Sequence, residues 1–155
     1  MRERLHRARK TVAIITPDEA KRRLDAGGVT LIDVDEEWQL RERGTIAGAR
    51  NMRGELEIKV DTEQQRRDPA LQDRARAVIL TCGAGGKATL SATTLQEMGF
   101  TNVSMFEGGC RGWQKAFGLS LIPPRSAEWP RHARTNRAGS AAPRHARPSA
   151  SHCPS

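Results

Sequence analysis

No apolar run in this 155-residue chain is long enough to cross a bilayer or to form the core of a secretory leader. The charged start from Arg2 to Lys10 is followed by only four apolar residues, Val12 to Ile15. Cysteine is scarce. Three residues, an odd number with no C-x-x-C pair, form neither a disulfide framework nor a zinc set. Histidine is missing between residues 7 and 131, so no imidazole base is available from that stretch. The basic ends lack interleaved aromatics and a periodic basic face, so nucleic acid is not an expected partner and solvated tails are. These absences set the expectations of a cytoplasmic protein whose thiols stay reduced, with no membrane span and no metal or organic cofactor.

The formal net charge of +8 is concentrated at the ends. Residues 1–10 carry five Lys/Arg against one acid, and residues 125–155 carry six Arg against one acid. The stretch between them has a net charge of −1, which is that of an ordinary folded domain. The expected division is a basic N-terminal arm over 1–11, solvated or the start of a frayed helix, then one α/β domain over 12–124 and a disordered basic tail over 125–155. That tail is built from Arg, Ala, Ser, Pro and His and has almost nothing to bury.

Within the domain, strands and helices alternate. Val12–Ile15 reads as a short strand. Thr16-Pro17-Asp18-Glu19 carries an N-cap, a first-turn proline and a capping-box acid, and Gly27-Gly28 stops the helix. Val29–Val34 is nearly continuous apolar, as a strand covered on both faces of a parallel sheet would be. Asp35 is expected to cap a second helix that Gly44 closes. Ile46–Met52 reads as a turn into a short strand. Leu56, Ile58 and Val60 fit a strand or a helical turn equally well, and Asp61–Arg76 a surface helix or a long connection. Val103–Phe106 is a further strand, followed by a helix from about Cys110 to Phe117 that ends at Gly118. Pro123-Pro124 ends the domain. The pattern is that of a three-layer α/β/α domain on a mainly parallel sheet, with ligands at the carboxyl ends of the strands.

One such end stands out. Ala77-Val78-Ile79-Leu80-Thr81 runs directly into Cys82, then Gly83-Ala84-Gly85-Gly86-Lys87, then a helix-forming run from Ala88 to Met98. Glycines there allow backbone N–H groups to turn inward, and the first turn of a helix has free donors and partial positive charge. A cysteine at that point is expected to be more acidic than a free one and to act as a nucleophile. The competing reading is a small core hydrophobe; the glycine loop and Lys87 weigh against it. Cys110 reads as a packing residue ahead of a resolving thiol, Asp33 as a strand-end cap ahead of a functional acid, and Trp38 and Trp113 as core or pocket-wall aromatics.

The ordered set of motifs over about residues 12–123 resembles the rhodanese domain, the sulfurtransferase fold. Leu31-Ile32-Asp33-Val34 resembles its L-I-D-V-R segment, and Gly44-Thr45-Ile46-Ala47-Gly48-Ala49 its G-H-I-P-G-A turn. Cys82 to Lys87 resembles its C-x-x-G-x-R loop, and Glu107-Gly108-Gly109 with Trp113 its late E-G-G…W signature. The resemblance implies that Cys82 takes the sulfane sulfur of a small anionic donor such as thiosulfate as a persulfide. It then passes that sulfur to cyanide, a thiol or a sulfur-relay protein. Substrate would be held by Gly83, Ala84, Gly85, Gly86 and Lys87. The departures are Lys87 in place of arginine, which offers a point charge for a bidentate fork, Asp35 where the family has arginine, and Thr45 and Ala47 in the turn. Asp35 removes a partner for Asp33 and sets two acids two residues apart. The alternatives are a sulfur-carrying or sensing and docking module with little turnover, and a phosphatase or arsenate reductase. The last would need arginine six positions after the cysteine, where Ala88 stands.

Overall fold

The computed structural model describes residues 2–52, 54, 56–65, 67–118 and 121–122; the expected tail from residue 125 lies outside the described residues. Five parallel strands form one sheet in the order β1-β5-β4-β2-β3: β1 (Ala13–Ile15), β2 (Val29–Asp33), β3 (Arg50–Asn51), β4 (Ala77–Thr81) and β5 (Val103–Phe106). Strand β4 lies at the centre, with Ile32 opposite Leu80, Asp33 opposite Thr81 and Leu80 opposite Met105. The continuous apolar runs of β2 and β4 have this cause, since side chains on both faces are covered.

Adjacent residues of one strand feed two separate cores. Ile32, Val78, Leu80 and Cys82 pack with Ala88, Ala92 and Leu95 of α5 (Gly86–Glu97) and with Val60 of α4 (Leu56–Val60). Leu31, Ile79 and Phe106 pack on the other face with Ala20 of α2 (Pro17–Ala26) and with Cys110 and Trp113 of α6 (Gly109–Phe117). Leu80 is fully buried, and truncating such a side chain to alanine typically costs about 2–5 kcal/mol. The buried strand residue Thr30 keeps its hydroxyl satisfied by accepting from Arg76 Nε at 2.6 Å.

Several elements differ from the sequence reading. Of the two readings of the basic arm the helical one holds, as α1 (Arg2–Thr11), but it is not solvated all round and lies along α5: Ala8 is buried, and Gln96 Nε2 donates to the Thr11 carbonyl at 3.2 Å. Its apolar contact is so small that composition pointed to solvent. The 56–60 ambiguity resolves as helix α4, and 61–76 as a connection with a single 3₁₀ turn at Pro69–Leu71. Helix α3 (Glu37–Arg43) starts one residue later than expected, with Glu36 as its N-cap and Gln39 closing the capping box. Asp35 does not cap it. Its carboxylate is drawn instead to three donors around the loop after β4. The chain returns at the far end, where Thr45 and Ile122 pair as an antiparallel bridge.

Candidate active site

Cys82 sits immediately beyond β4, between the sheet's carboxyl edge and the start of α5, and is 3% exposed. Gly85 adopts the left-handed φ of +97° that a tight turn requires, and its N–H donates to Cys82 Sγ at 3.0 Å. The loop is held from behind. Thr89 returns its N–H and its hydroxyl to the Gly85 carbonyl, at 3.1 and 2.8 Å. Cys110 N–H takes the Cys82 carbonyl at 2.8 Å, and Arg111 N–H the Gly83 carbonyl at 3.2 Å. That approach needs Gly109: a Cβ there would lie 2.1 Å from the Cys82 carbonyl oxygen. No acceptor among the described residues takes the backbone N–H of Ala84, Gly86, Lys87 or Ala88. The thiol therefore meets a helix start with several unspent donors.

Two of the residues expected to hold substrate are aimed elsewhere. Gly83 N–H donates to Asp35 Oδ2 at 2.6 Å, away from the sulfur. Lys87 Nζ is 3.1 Å from Asp35 Oδ1 and donates to Gln39 Oε1 at 2.7 Å. A buried carboxylate beside the loop takes both donors. Ala84 is exposed and Gly86 half-buried at the rim.

The sequence reading missed what secures Asp35. Arg43, from the last turn of α3, donates through one nitrogen to Asp35 Oδ2 at 2.8 Å and to both oxygens of Asp33 at 3.0 and 3.2 Å. The two acids thus share a cation supplied from α3, and the charge expected to be lost with the family's arginine is restored from another element. Burial pushes the Asp35 carboxyl up, but its bonds from Arg43, Gly83 N–H and Lys87 outweigh this and hold it below the ordinary value. Asp33 is fully buried and also accepts from Thr45 Oγ1 at 2.7 Å and from the Asp35 N–H at 3.0 Å. The only advance signal for Arg43 was a basic residue at the C-terminal end of an amphipathic turn, which usually means a solvated face.

Cys110 is fully buried; its Sγ lies 3.6 Å from Thr81 Oγ1 and 3.7 Å from Asp33 Oδ2. Burial, together with the charge of Asp33, pushes its thiol up to about 12. It packs in the core on the sheet face opposite the one Cys82 joins, which suits packing and not thiol exchange. Trp113 is core, between Phe106 and Phe117. Trp38 is 58% exposed on the outer side of the short helix α3, where it lines a surface pocket with Glu36, Glu37 and Arg41, so the pocket-wall expectation holds and the core one does not.

A parallel α/β sheet whose middle strand ends in a cysteine and a glycine-rich loop leading into a helix defines a class of α/β domains. Within that class, residues 16–116 match the family model for the rhodanese-like domain, and the chain belongs to that family. Among solved structures it is similar to a protein of unknown function from Rhodopseudomonas palustris described as a possible tyrosine phosphatase, at 26% identity and TM-score 0.69, covering 76% of this chain and 90% of that one. It is also similar to the polysulfide-sulfur transferase homodimer of Wolinella succinogenes, at 26% identity and TM-score 0.59, covering 83% and 90%. The thiosulfate sulfurtransferase of Pseudomonas aeruginosa shares the fold at 19% identity and TM-score 0.65, covering 78% of this chain and 22% of that one. No curated protein matches the chain. Among the described residues, no helix is long and apolar enough to cross a membrane.

Proposed function

We propose that this chain is a sulfurtransferase working through a Cys82 persulfide. The observation that carries the reading is the placement of Cys82 Sγ: it accepts from Gly85 N–H at 3.0 Å at the start of α5, where no acceptor among the described residues takes the N–H groups of Ala84, Gly86, Lys87 and Ala88. Family membership and the similarity to a polysulfide-sulfur transferase support it. The Cys82 thiolate attacks the outer sulfur of a donor such as thiosulfate. A sulfur–sulfur bond forms at Cys82 as the donor's own sulfur–sulfur bond breaks, and sulfite leaves with the electron pair. A nucleophile, cyanide or a thiol, then removes the terminal sulfur and returns the thiolate. Fixed backbone dipoles stabilise the anionic persulfide without having to reorganise.

The phosphatase alternative raised by one structural neighbour is disfavoured by Ala88. It stands six positions after Cys82, where that chemistry needs an arginine fork, and the loop's cation comes one residue earlier. The test is intact-protein mass spectrometry after exposure to thiosulfate or to cysteine persulfide, and then to cyanide. Gain of one sulfur on Cys82, removed by cyanide with repeated thiocyanate formation, is expected for wild type and not for Cys82→Ser. Loading of Cys82 without turnover would assign the chain to the sulfur-carrying or sensing modules.

A further inference from the structure

The cation that the loop offers to an incoming anion is already engaged. Lys87 is held by Asp35 at 3.1 Å and by Gln39 at 2.7 Å. Asp35 cannot swing away: its side chain is 4% exposed and is fixed at its other oxygen by Arg43 at 2.8 Å and Gly83 N–H at 2.6 Å. Arg43 is in turn divided between Asp33 and Asp35. Two carboxylates and two cations therefore cancel beside Cys82. What attracts an anion there is then the start of α5, equivalent to about half an elementary charge, together with the buried, unpartnered Nε of Arg43 beside Gly83.

That is a poor match for thiosulfate, a dianion that must approach a thiolate, because like charges repel strongly where water is excluded. It suits a hydropersulfide, R–S–SH, whose reacting end carries at most one charge. On the sulfurtransferase reading above, we infer that Asp35 is the specificity-determining residue of the site: by holding Lys87 it directs Cys82 toward hydropersulfide donors and away from thiosulfate. In the loading step the Cys82 thiolate attacks the terminal sulfur of R–S–SH. The new sulfur–sulfur bond leaves Cys82 as a persulfide, and RS⁻ departs with the electrons of the broken bond, so no outside oxidant or reductant is needed.

The test measures Cys82 loading against donor concentration, with cysteine persulfide and with thiosulfate. Each rate is divided by that of the same donor with free cysteine. Wild type should favour the persulfide by about tenfold or more. Asp35→Asn keeps the shape and an acceptor for Gly83 N–H while leaving Lys87 only the neutral Gln39 as a partner, so its charge is no longer cancelled. It should lower the half-saturating thiosulfate concentration by about tenfold and leave persulfide loading within about threefold. In Asp35→Asn/Lys87→Gln that gain should vanish. Wild type loading at least as well from thiosulfate overturns the inference, even if the variants fail to fold. So does a thiosulfate gain that survives without Lys87, or a change shared equally by both donors. Failure of both donors to load wild-type Cys82 overturns the sulfurtransferase reading itself, a result distinct from any of these.

Discussion

Replacing Arg43 with methionine removes a cation while keeping the length of the side chain. Its guanidinium makes three contacts to the carboxylates, at 2.8, 3.0 and 3.2 Å, and one to the Gly44 carbonyl at 2.5 Å. The side chains it serves are 0% and 4% exposed, so water cannot take its place at Asp33 or Asp35. Breaking a buried pair by deleting one partner costs roughly 3–5 kcal/mol. Arg43 is itself 21% exposed, which places the expectation near the lower end, about 3 kcal/mol. Urea unfolding followed by tryptophan fluorescence measures this, since Trp113 is buried between two aromatic rings. The pH dependence carries a second signature. In wild type the Asp35 carboxyl is held below its ordinary value, so its stabilisation is complete above the unfolded value near 3.9 and is lost as pH falls through the folded one. In Arg43→Met the largest of the bonds that hold the Asp35 carboxyl down is gone, so less of that stabilisation remains to be lost. The variant should therefore lose less stability than wild type as pH falls below about 4. A loss under about 1 kcal/mol with an unchanged pH profile would refute the claim that Arg43 neutralises this pair.

Gly109→Ala should destabilise the domain by about 2 kcal/mol or more, because a Cβ at φ +55° meets the Cys82 carbonyl at 2.1 Å; thermal unfolding checks this, and an unchanged midpoint contradicts it. Cys110, buried and with its thiol pushed up to about 12, should resist iodoacetamide at pH 8 until urea unfolds the chain, as peptide mapping would show. Cys110→Ser should leave sulfur loading of Cys82 intact, and loss of loading would instead make Cys110 a participant. Thr89→Val removes the hydroxyl bond to the Gly85 carbonyl at 2.8 Å and should slow loading several-fold while costing about 1 kcal/mol of stability. Equal loading by wild type and variant would separate that bond from the loop's geometry.

The parts of this molecule that announced themselves in sequence are those governed by neighbours in the chain. Val29–Asp33 and Ala77–Thr81 read as strands because both faces of a parallel sheet are apolar, and Gly85 read as a turn because its backbone needs positive φ. Thr16 read as an N-cap, and its hydroxyl accepts Glu19 N–H at 3.2 Å. The misreadings concern groups whose partners are remote in sequence. Asp35 has the local profile of a cap, but Gly83 and Lys87, from 48 and 52 positions away, claim it. Arg43 has no local mark of a buried role, yet it joins Asp33 to Asp35 across ten and eight positions. The docking of α1 on the domain is not legible because it contributes little more than Ala8 to the core. Trp38 fits the pocket-wall half of its reading and not the core half, because α3 turns it outward.

The central claim is that Cys82 carries sulfur. Mass spectrometry of the intact protein, wild type beside Cys82→Ser, tests it most directly after incubation with cysteine persulfide and with thiosulfate. The account predicts one added sulfur atom, mapped to Cys82, absent from the serine variant and removed by cyanide as thiocyanate. An unmodified Cys82 with both donors, or the same gain in Cys82→Ser, would contradict it.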